Sequence, residues 1–173
     1  MLVRDLMIPE VAFCRPDDNL AEITETMWHK RCGALPVVNE AREVAGMITD
    51  RDVCIAVGTR DLKASEILVR EVSSLNCFVC SPAQDIREAL QTMSSGEVNR
   101  LPVVDPSGHL IGILSVDDIV GRAGGGTSDL SDAEIIVALK GLREARIRLP
   151  YVPIEQECPL DACNRMPLNF APE

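Results

Sequence analysis

The apolar pattern of the chain repeats itself at a fixed interval. The run Leu35-Pro36-Val37-Val38 recurs 66 positions later as Leu101-Pro102-Val103-Val104. Six further pairs fall into the same register: Cys14 with Cys80, Pro16 with Pro82, Met27 with Met93, Gly46 with Gly112, Thr49 with Ser115, and Asp52 with Asp118. This interval is longer than that of solenoid repeats, so it predicts two domain-like halves and not an array.

Within each half, the pattern predicts a strand, a helix, a strand, a strand and a helix. The apolar runs at 11–14 and 77–80 stop just before a proline, as strands that feed a turn do. The two later strands form a hairpin, at 35–38 with 44–48 and at 101–104 with 110–114. Each hairpin contains a glycine, Gly46 or Gly112, where another backbone is expected to approach closely.

The helices are predicted from caps and from apolar stripes. Asn19 with Glu22, and Asp85 with Glu88, are N-cap-like pairs that open the first helix of each half. Apolar stripes at helical spacing come next: Leu20, Ile23 and Met27 in one half, and Ile86, Ala89, Leu90 and Met93 in the other. The second helices are expected at about 50–57 and 116–121.

The resulting fold class is α/β, in the α+β sense: two tandem β-α-β-β-α repeats related by pseudo-twofold symmetry, with a C-terminal helix and an irregular tail. We expect repeat one at 1–60, repeat two at 61–123, and a glycine-rich hinge, helix and proline-rich tail at 124–173. Ser131 and Glu134 form a capping box that opens the tail helix, which runs to about Arg146. Its apolar face is expected to pack on its own module, on a second subunit or on a separate partner.

Charge and cysteine usage narrow the function. The 17 basic and 27 acidic residues give a net charge of −10, which opposes nucleic-acid binding. No apolar stretch approaches the ~20 residues of a membrane span, so we expect a cytoplasmic protein without a membrane partner.

The seven cysteines are an odd, scattered set, which favours free thiols. A zinc site built from Cys77, Cys80, Cys158 and Cys163 is disfavoured by its spacing, and no metal is expected.

These motifs resemble the cystathionine-β-synthase (CBS) domain pair, also called the Bateman module, in its standalone bacterial form. The resemblance covers residues 1–123 and rests on the two Leu-Pro-Val-Val runs, each with a second matching segment. Those segments are Gly46-Met47-Ile48-Thr49-Asp50-Arg51-Asp52 and Gly112-Ile113-Leu114-Ser115-Val116-Asp117-Asp118. The resemblance implies a non-catalytic regulatory module that binds AMP, ADP or ATP, or else S-adenosylmethionine or NAD, in clefts between the repeats. Regulation of an effector protein, or of assembly as a homodimer, is implied with it.

The resemblance also implies residue roles. Asp52 and Asp118 hold the ribose hydroxyls, and Thr49 and Ser115 lie near the phosphate. Helix starts favour anions, so phosphate at this point agrees with the chemistry of the backbone. Arg100 is a further candidate, because family members often place a basic residue there for phosphate.

The two sites are not equivalent in charge. Arg51 is a nucleotide-binding candidate, whereas the matching position of the second repeat is Asp117. We therefore expect one cleft to bind tightly and the other weakly or not at all.

A structural role explains the same residues without a ligand. Thr49 with Asp52, and Ser115 with Asp118, fit the capping-box pattern, in which the acid bonds back to the helix start. Three functions remain open on the sequence: a nucleotide sensor, a ligand-free dimerisation scaffold, and a nucleic-acid or metal binder, which charge and thiol spacing make the weakest.

Overall fold

The computed structural model describes residues 1–74, 77–123 and 131–147. The strands are β1 (Ile8–Pro9), β2 (Ala34–Val38), β3 (Val44–Thr49), β4 (Arg100–Val104) and β5 (Leu110–Ser115). The helices are α1 (Leu20–Lys30), α2 (Asp50–Arg60), α3 (Ile86–Ser95), α4 (Val116–Ala123) and α5 (Asp132–Ile147). None of these described helices combines the length and the apolar character that crossing a bilayer requires.

The two hairpins have the same register, which confirms the repeat. In the first, Ala34 lies opposite Thr49 in the antiparallel pair of β2 and β3. In the second, Arg100 lies opposite Ser115 in the pair of β4 and β5. Each ladder also shifts register at the same point, within the Val-Val pair that ends β2 and β4. The predicted mixed fold of two tandem repeats is therefore correct.

The strands predicted at 11–14 and 77–80 are wrong in extent. Each is reduced to one parallel bridge, Cys14 with Val37 and Cys80 with Val103. In the first repeat, the N–H of Cys14 donates to the Pro36 carbonyl, and Val38 donates to the Cys14 carbonyl. A longer parallel ladder needs N–H donors from Pro16 and Pro36, which have none. The repeated prolines at 82 and 102 limit the second bridge in the same way.

The helices bury the stripes that the sequence predicts, in two separate cores. Leu20, Ile23 and Met27 of α1 are buried in one, and the stripe of α3 is buried in the other. Asn19 caps α1 by accepting from the N–H groups of Ala21 and Glu22 at 3.1 Å each. The cap of α3 is simpler, because Asp85 accepts from the N–H of Arg87 at 2.8 Å.

The segment before each repeat completes the core of the other repeat. Val3 is fully buried in the second repeat, and Val69 is fully buried in the first. The backbone bonds are matched as well. Val3 donates to the Gln84 carbonyl and Val69 to the Asp18 carbonyl, both at 2.9 Å. Because each half lacks part of its core without the other, the two repeats form one cooperative unit.

The N-terminal segment continues into strand β1, which pairs with β5 of the second repeat. Ile8 lies opposite Ile113, and Pro9 lies opposite Gly112. A Cβ built on Gly112 would be 2.7 Å from the Ile8 carbonyl oxygen. The close backbone approach predicted for this glycine is therefore present, and any side chain would separate β1 from the sheet.

Helix α5 packs on the second repeat of its own chain. Ile135 and Leu142 are each 5% exposed within that core. The Arg87 Nε donates to Glu134 Oε1 at 2.7 Å. This hydrogen bond is the largest of the effects that lower the pKa of Glu134 to about 2. The capping box of Ser131 and Glu134 is formed as predicted. The predicted hinge at 124–126 and the tail after residue 147 lie outside the described residues.

Candidate functional site

A cavity of ≈ 450 Å³ lies where the two repeats meet. The end of β1, the loop after α1 and strand β2 supply one side, and β4, β5 and the start of α4 supply the other. Its lining residues are Ile8, Glu10, Val11, Ala12, Lys30, Arg31, Cys32, Gly33, Ala34, Pro36, Arg100, Ile113, Ser115, Asp117 and Asp118. Contributions from both repeats make this an inter-repeat cleft of the size that small ligands use.

At one end of the cleft, Asp118 lies in the first turn of α4, where it forms a capping box with Ser115. The N–H of Ser115 donates to Asp118 Oδ2 at 3.0 Å, and the N–H of Asp118 donates to the Ser115 hydroxyl at 3.1 Å. The Ser115 hydroxyl also donates to Oδ2. Since the box uses only Oδ2, the second oxygen Oδ1 keeps its acceptor capacity toward a ligand.

The start of α2 has the same geometry. The N–H of Thr49 donates to Asp52 Oδ2 at 2.8 Å, and the Thr49 hydroxyl donates to the same oxygen at 2.6 Å. Both predicted capping boxes are therefore formed. Thr49, Arg51 and Asp52 lie outside the lining of the ≈ 450 Å³ cleft, whereas Arg100, Ser115 and Asp118 lie within it.

Three cations line the cleft, and the sequence prediction contained only Arg100. Lys30 and Arg31 come from the end of α1, where Arg31 is the C-cap in the left-handed conformation, with φ of 52°. The Arg31 N–H bonds back to the Met27 and Trp28 carbonyls, which fixes the turn that brings the side chain to the cleft. The sequence does contain a signal for this pair. The equivalent residues of the second repeat are Gly96 and Glu97, so the two cations occur in the first repeat and not in the second.

Three acids share this cleft with the three cations: Glu10, Asp117 and Asp118. Asp117 follows the first residue of α4, where an anion is favoured by the unpaired N–H groups. The start of α4 thus carries two carboxylates, and the cations of the cleft are Lys30, Arg31 and Arg100. The remaining wall is apolar, with Ile8, Val11 and Ile113 available for a flat ring.

The pseudo-equivalent side has different residues at two of the positions that line the ≈ 450 Å³ cleft. Phe78 stands at the position of Ala12, and Gly96 stands at the position of Lys30. A Cβ built on Gly96 would be 2.6 Å from Cε2 of the Phe78 ring, so the ring lies directly on that backbone. This side therefore carries an aromatic ring, 45% exposed, where the ≈ 450 Å³ cleft has the methyl group of Ala12.

The described cysteines are free thiols. Burial raises the pKa of Cys14 and of Cys80 to about 12 and that of Cys77 to about 11. Cys80 is 3% exposed, in agreement with a predicted role in core packing. Among the described residues, no group of three or more His, Cys, Asp and Glu side chains could hold a metal ion. Cys158 and Cys163 lie outside the described residues.

Known proteins resemble this chain in sequence. The family model for the CBS domain matches residues 3–58 and 69–125, together more than half of the chain. The CBS domain-containing protein YhcV of Bacillus subtilis is 32% identical over 117 residues, covering 68% of this chain and 81% of YhcV. An uncharacterised protein of Methanopyrus kandleri is 32% identical over 105 residues, covering 61% of this chain. The match spans only 54% of that archaeal protein.

Solved structures share the fold. The CBS domain protein TA0289 of Thermoplasma acidophilum has a TM-score of 0.69 at 20% identity, covering 83% of this chain and 76% of TA0289. The CBS domain pair of MJ0100, solved with 5′-methylthioadenosine and S-adenosyl-L-methionine, has a TM-score of 0.65 at 22% identity, covering 72% and 100%. CBSX2, solved with AMP, has a TM-score of 0.62 at 23% identity, covering 70% and 95%.

The order of the elements and the two matched repeats agree with these comparisons. The chain belongs to the CBS-domain family and carries a tandem pair of CBS repeats.

Proposed function

We propose that this protein is a regulatory module that binds an adenosine-containing nucleotide in the ≈ 450 Å³ cleft. One observation carries the proposal. The cleft combines a carboxylate acceptor, Asp118, with three cations, Lys30, Arg31 and Arg100, in a single cavity between the repeats. An acceptor beside cations matches a molecule with a diol at one end and a phosphate at the other.

Each part of the nucleotide has a candidate partner. The ribose hydroxyls donate to Asp118, because a carboxylate is a strong acceptor for two vicinal hydroxyls. Arg31 and Arg100 bind the phosphate, since guanidinium groups match phosphate oxygens in pairs. The base lies against Ile8 and Ile113, where apolar contact is available.

Solved relatives support this class of ligand. CBSX2 has been crystallised with AMP, and the MJ0100 domain pair with S-adenosyl-L-methionine and 5′-methylthioadenosine. AMP, ADP and ATP suit the three cations best. S-adenosylmethionine and NAD are the further candidates.

We propose unequal occupancy of the two sides. Phe78 and Glu97 take the places of Ala12 and Arg31 on the side of Asp52. A ring reduces the space for a ligand there, and an acid repels its phosphate. Thr49, Arg51 and Asp52 then serve a weak site or only the cap of α2.

The regulatory output is part of the proposal. The ligand acts by differential affinity for two states of the module, of its homodimer or of a complex with a separate effector protein. The module itself carries out no reaction. Free buried thiols fit a reducing compartment, which supports a cytoplasmic location.

A thermal-shift screen tests the proposal and ranks the candidate ligands. The full chain is melted with AMP, ADP, ATP, NAD and S-adenosylmethionine, since a ligand of the native state raises Tm by mass action. We expect adenine nucleotides to raise Tm and CMP, the matched control, to raise it less, because CMP has the same ribose and phosphate but a smaller ring for contact with Ile8 and Ile113. No shift from any adenosine compound would favour the ligand-free dimerisation scaffold.

A further inference from the structure

A groove of ≈ 760 Å³ lies on the first repeat, between the end of α1 and the start of α2. Met27 and Val53 form its apolar floor, and Trp28, which is 80% exposed, lines it as well. An exposed tryptophan beside an apolar floor is typical of a recognition surface. The full set of lining residues is Thr24, Met27, Trp28, His29, Arg31, Cys32, Gly33, Asp50 and Val53.

The equivalent place on the second repeat is covered by helix α5. Met93 and Ile119, the equivalents of Met27 and Val53, lie in the core that includes Ile135 of α5. Among the described residues, no helix covers the first-repeat groove in this way. The groove is therefore the uncovered counterpart of a surface that the chain covers on its other half.

Trp28 determines what kind of cover the groove can take. Its equivalent on the second repeat is Ser94, and a Cβ built on Gly141 of α5 would be 2.8 Å from the Ser94 Oγ. A helix that approaches so closely cannot pack over an indole ring at the same position, because the ring is far larger than the serine side chain. The first-repeat groove therefore suits a thinner occupant, namely an extended chain that lies beside the ring.

Proline-rich segments are extended occupants of this kind. They enter the polyproline II conformation at a low cost in entropy, and PxxP segments dock in grooves lined by aromatic side chains. The sequence has this spacing at Pro150-Tyr151-Val152-Pro153, in the tail that lies outside the described residues. Tyr151, Val152 and Ile154 supply apolar side chains that match the floor of the groove.

The charges of the groove and of the tail are complementary. Lys30 and Arg31 lie at the end of α1, and Arg31 lines the groove. Glu155 and Glu157 follow the second proline of the tail motif. Asp50 also lines the groove, but one of its carboxylate oxygens accepts from a backbone N–H of its own helix. A segment that is apolar first and acidic afterwards therefore matches an apolar floor beside a basic helix end.

Helix α5 leads towards the groove. Glu134 bonds to Arg87 at the start of α3, and Gly141 lies on Ser94 near its end, so α5 runs along α3 in the same direction. The end of α1 lies beside the start of α4, because both line the ≈ 450 Å³ cleft. The pseudo-twofold relation thus sets the end of α3 beside the start of α2, where the groove lies. Residues 148–150 span at most about 10 Å, so the motif begins close to the described end of α5.

We propose that residues 150–157 of the tail dock in this groove of their own chain. The proline rings pack against the indole of Trp28, and the apolar side chains beside them cover Met27 and Val53. The glutamates face the basic end of α1. The tail then covers on the first repeat what α5 covers on the second. This docking does not depend on a nucleotide in the cleft between the repeats.

Trp28 is the only tryptophan of the chain, so its fluorescence reports on the groove alone. Acrylamide should quench Trp28 about threefold less in the wild type than in a Pro150→Ala, Pro153→Ala variant, which loses the polyproline conformation and both ring contacts. The matched control is Pro159→Ala with Pro167→Ala, later in the tail, and it should be quenched like the wild type. Protection within one chain should be the same at all micromolar protein concentrations. Circular dichroism verifies that the variants are folded.

Three outcomes of the quenching experiment would overturn the proposal. The first is equal quenching of the wild type and the Pro150→Ala, Pro153→Ala variant. The second is an equal effect of the control variant, since the PxxP segment would then have no special part. The third is protection that weakens on dilution, since the occupant would then come from another copy of the chain.

A synthetic peptide of residues 149–157 tests the same contact between separate molecules. Added to the Pro150→Ala, Pro153→Ala variant, it should restore the protection of Trp28 with a Kd below about 1 mM, the effective concentration that a short flexible linker provides. The control peptide has both prolines replaced by alanine and should give no protection. Absence of binding by the native peptide, or equal binding of both peptides, would contradict docking of this segment.

The charge contacts are tested with a peptide that carries Glu155→Lys and Glu157→Lys. It should bind about fivefold more weakly than the native peptide at low salt, because two surface ion pairs are lost. The difference should shrink as salt is added. An unchanged affinity at low salt would overturn the placement of the two glutamates at the basic end of α1.

Discussion

Arg31 and Glu97 occupy equivalent positions of the two repeats, and both are left-handed, with φ of 52° and 54°. Their backbones are the same and their charges are opposite. Arg31 lines the cleft that contains Asp118, so that cleft gains a cation where the pseudo-equivalent side has an acid. This difference is the basis for the unequal binding that we propose for two otherwise similar repeats.

Replacing Arg31 with the residue of the other repeat tests its role. Arg31→Glu should lower the affinity for AMP by about tenfold or more, because a charged hydrogen bond to phosphate is lost and repulsion is added. The affinity for adenosine, which has no phosphate, should change little. Isothermal titration with both ligands measures this. Equal losses for AMP and adenosine would contradict a phosphate contact.

The two capping aspartates provide a matched pair. Asp118→Ala should weaken AMP binding by about 1.5–3 kcal/mol, the contribution of a hydrogen bond to a charged group. It should also lower the free energy of unfolding by about 1 kcal/mol, because the capping box is lost. Asp52→Ala removes the same box at the start of α2.

The expected contrast is that Asp52→Ala lowers stability by a similar amount and leaves AMP affinity nearly unchanged. Urea unfolding and titration of both variants measure the two effects separately. If both variants lost stability and neither lost affinity, the two acids would be caps only, and Asp118 would have no ligand role.

Two glycines test the packing of the N-terminal segment. Gly112→Ala should lower the free energy of unfolding by about 1–3 kcal/mol, since its Cβ would press on the Ile8 carbonyl. Gly58 lies in α2 with nothing within 4 Å of a built Cβ. Gly58→Ala should therefore stabilise the protein by about 0.5–1 kcal/mol. Equal effects in urea unfolding would show that β1 does not approach Gly112.

The thiols should differ in reactivity. Burial holds the pKa of Cys14 and of Cys80 at about 12, so both stay protonated at neutral and mildly alkaline pH. Cys54 is exposed. Brief alkylation of the native protein at pH 8, followed by peptide mass spectrometry, should label Cys54 well before the other two. Fast labelling of Cys14 or Cys80 would show that the corresponding core opens.

Local pattern was enough to predict most elements. The hairpins and both stripes follow from periodicity that the chain shows twice, once in each repeat, and the caps follow from short-range hydrogen bonds of residues such as Asn19. The packing of the segment before each repeat on the core of the other repeat was not predicted, although Leu2-Val3-Arg4 recurs as Leu68-Val69-Arg70 in the same register. Where such a segment packs depends on which core lacks cover, and that is a property of the assembled pair.

The candidate site shows the same division. Arg100, Ser115 and Asp118 were selected from the motif and lie in one cleft. Lys30 and Arg31 were missed because they belong to the other repeat and reach the cleft through a left-handed turn. A motif identifies residues of its own strand and helix, whereas an inter-repeat cleft is also lined by residues of the facing repeat.

The number of AMP molecules bound per chain tests the central claim most directly. Isothermal titration of the wild-type chain should give one high-affinity site, with any second site much weaker. Two equal high-affinity sites would contradict the unequal clefts, and no binding of AMP, ADP or ATP would contradict the nucleotide sensor itself.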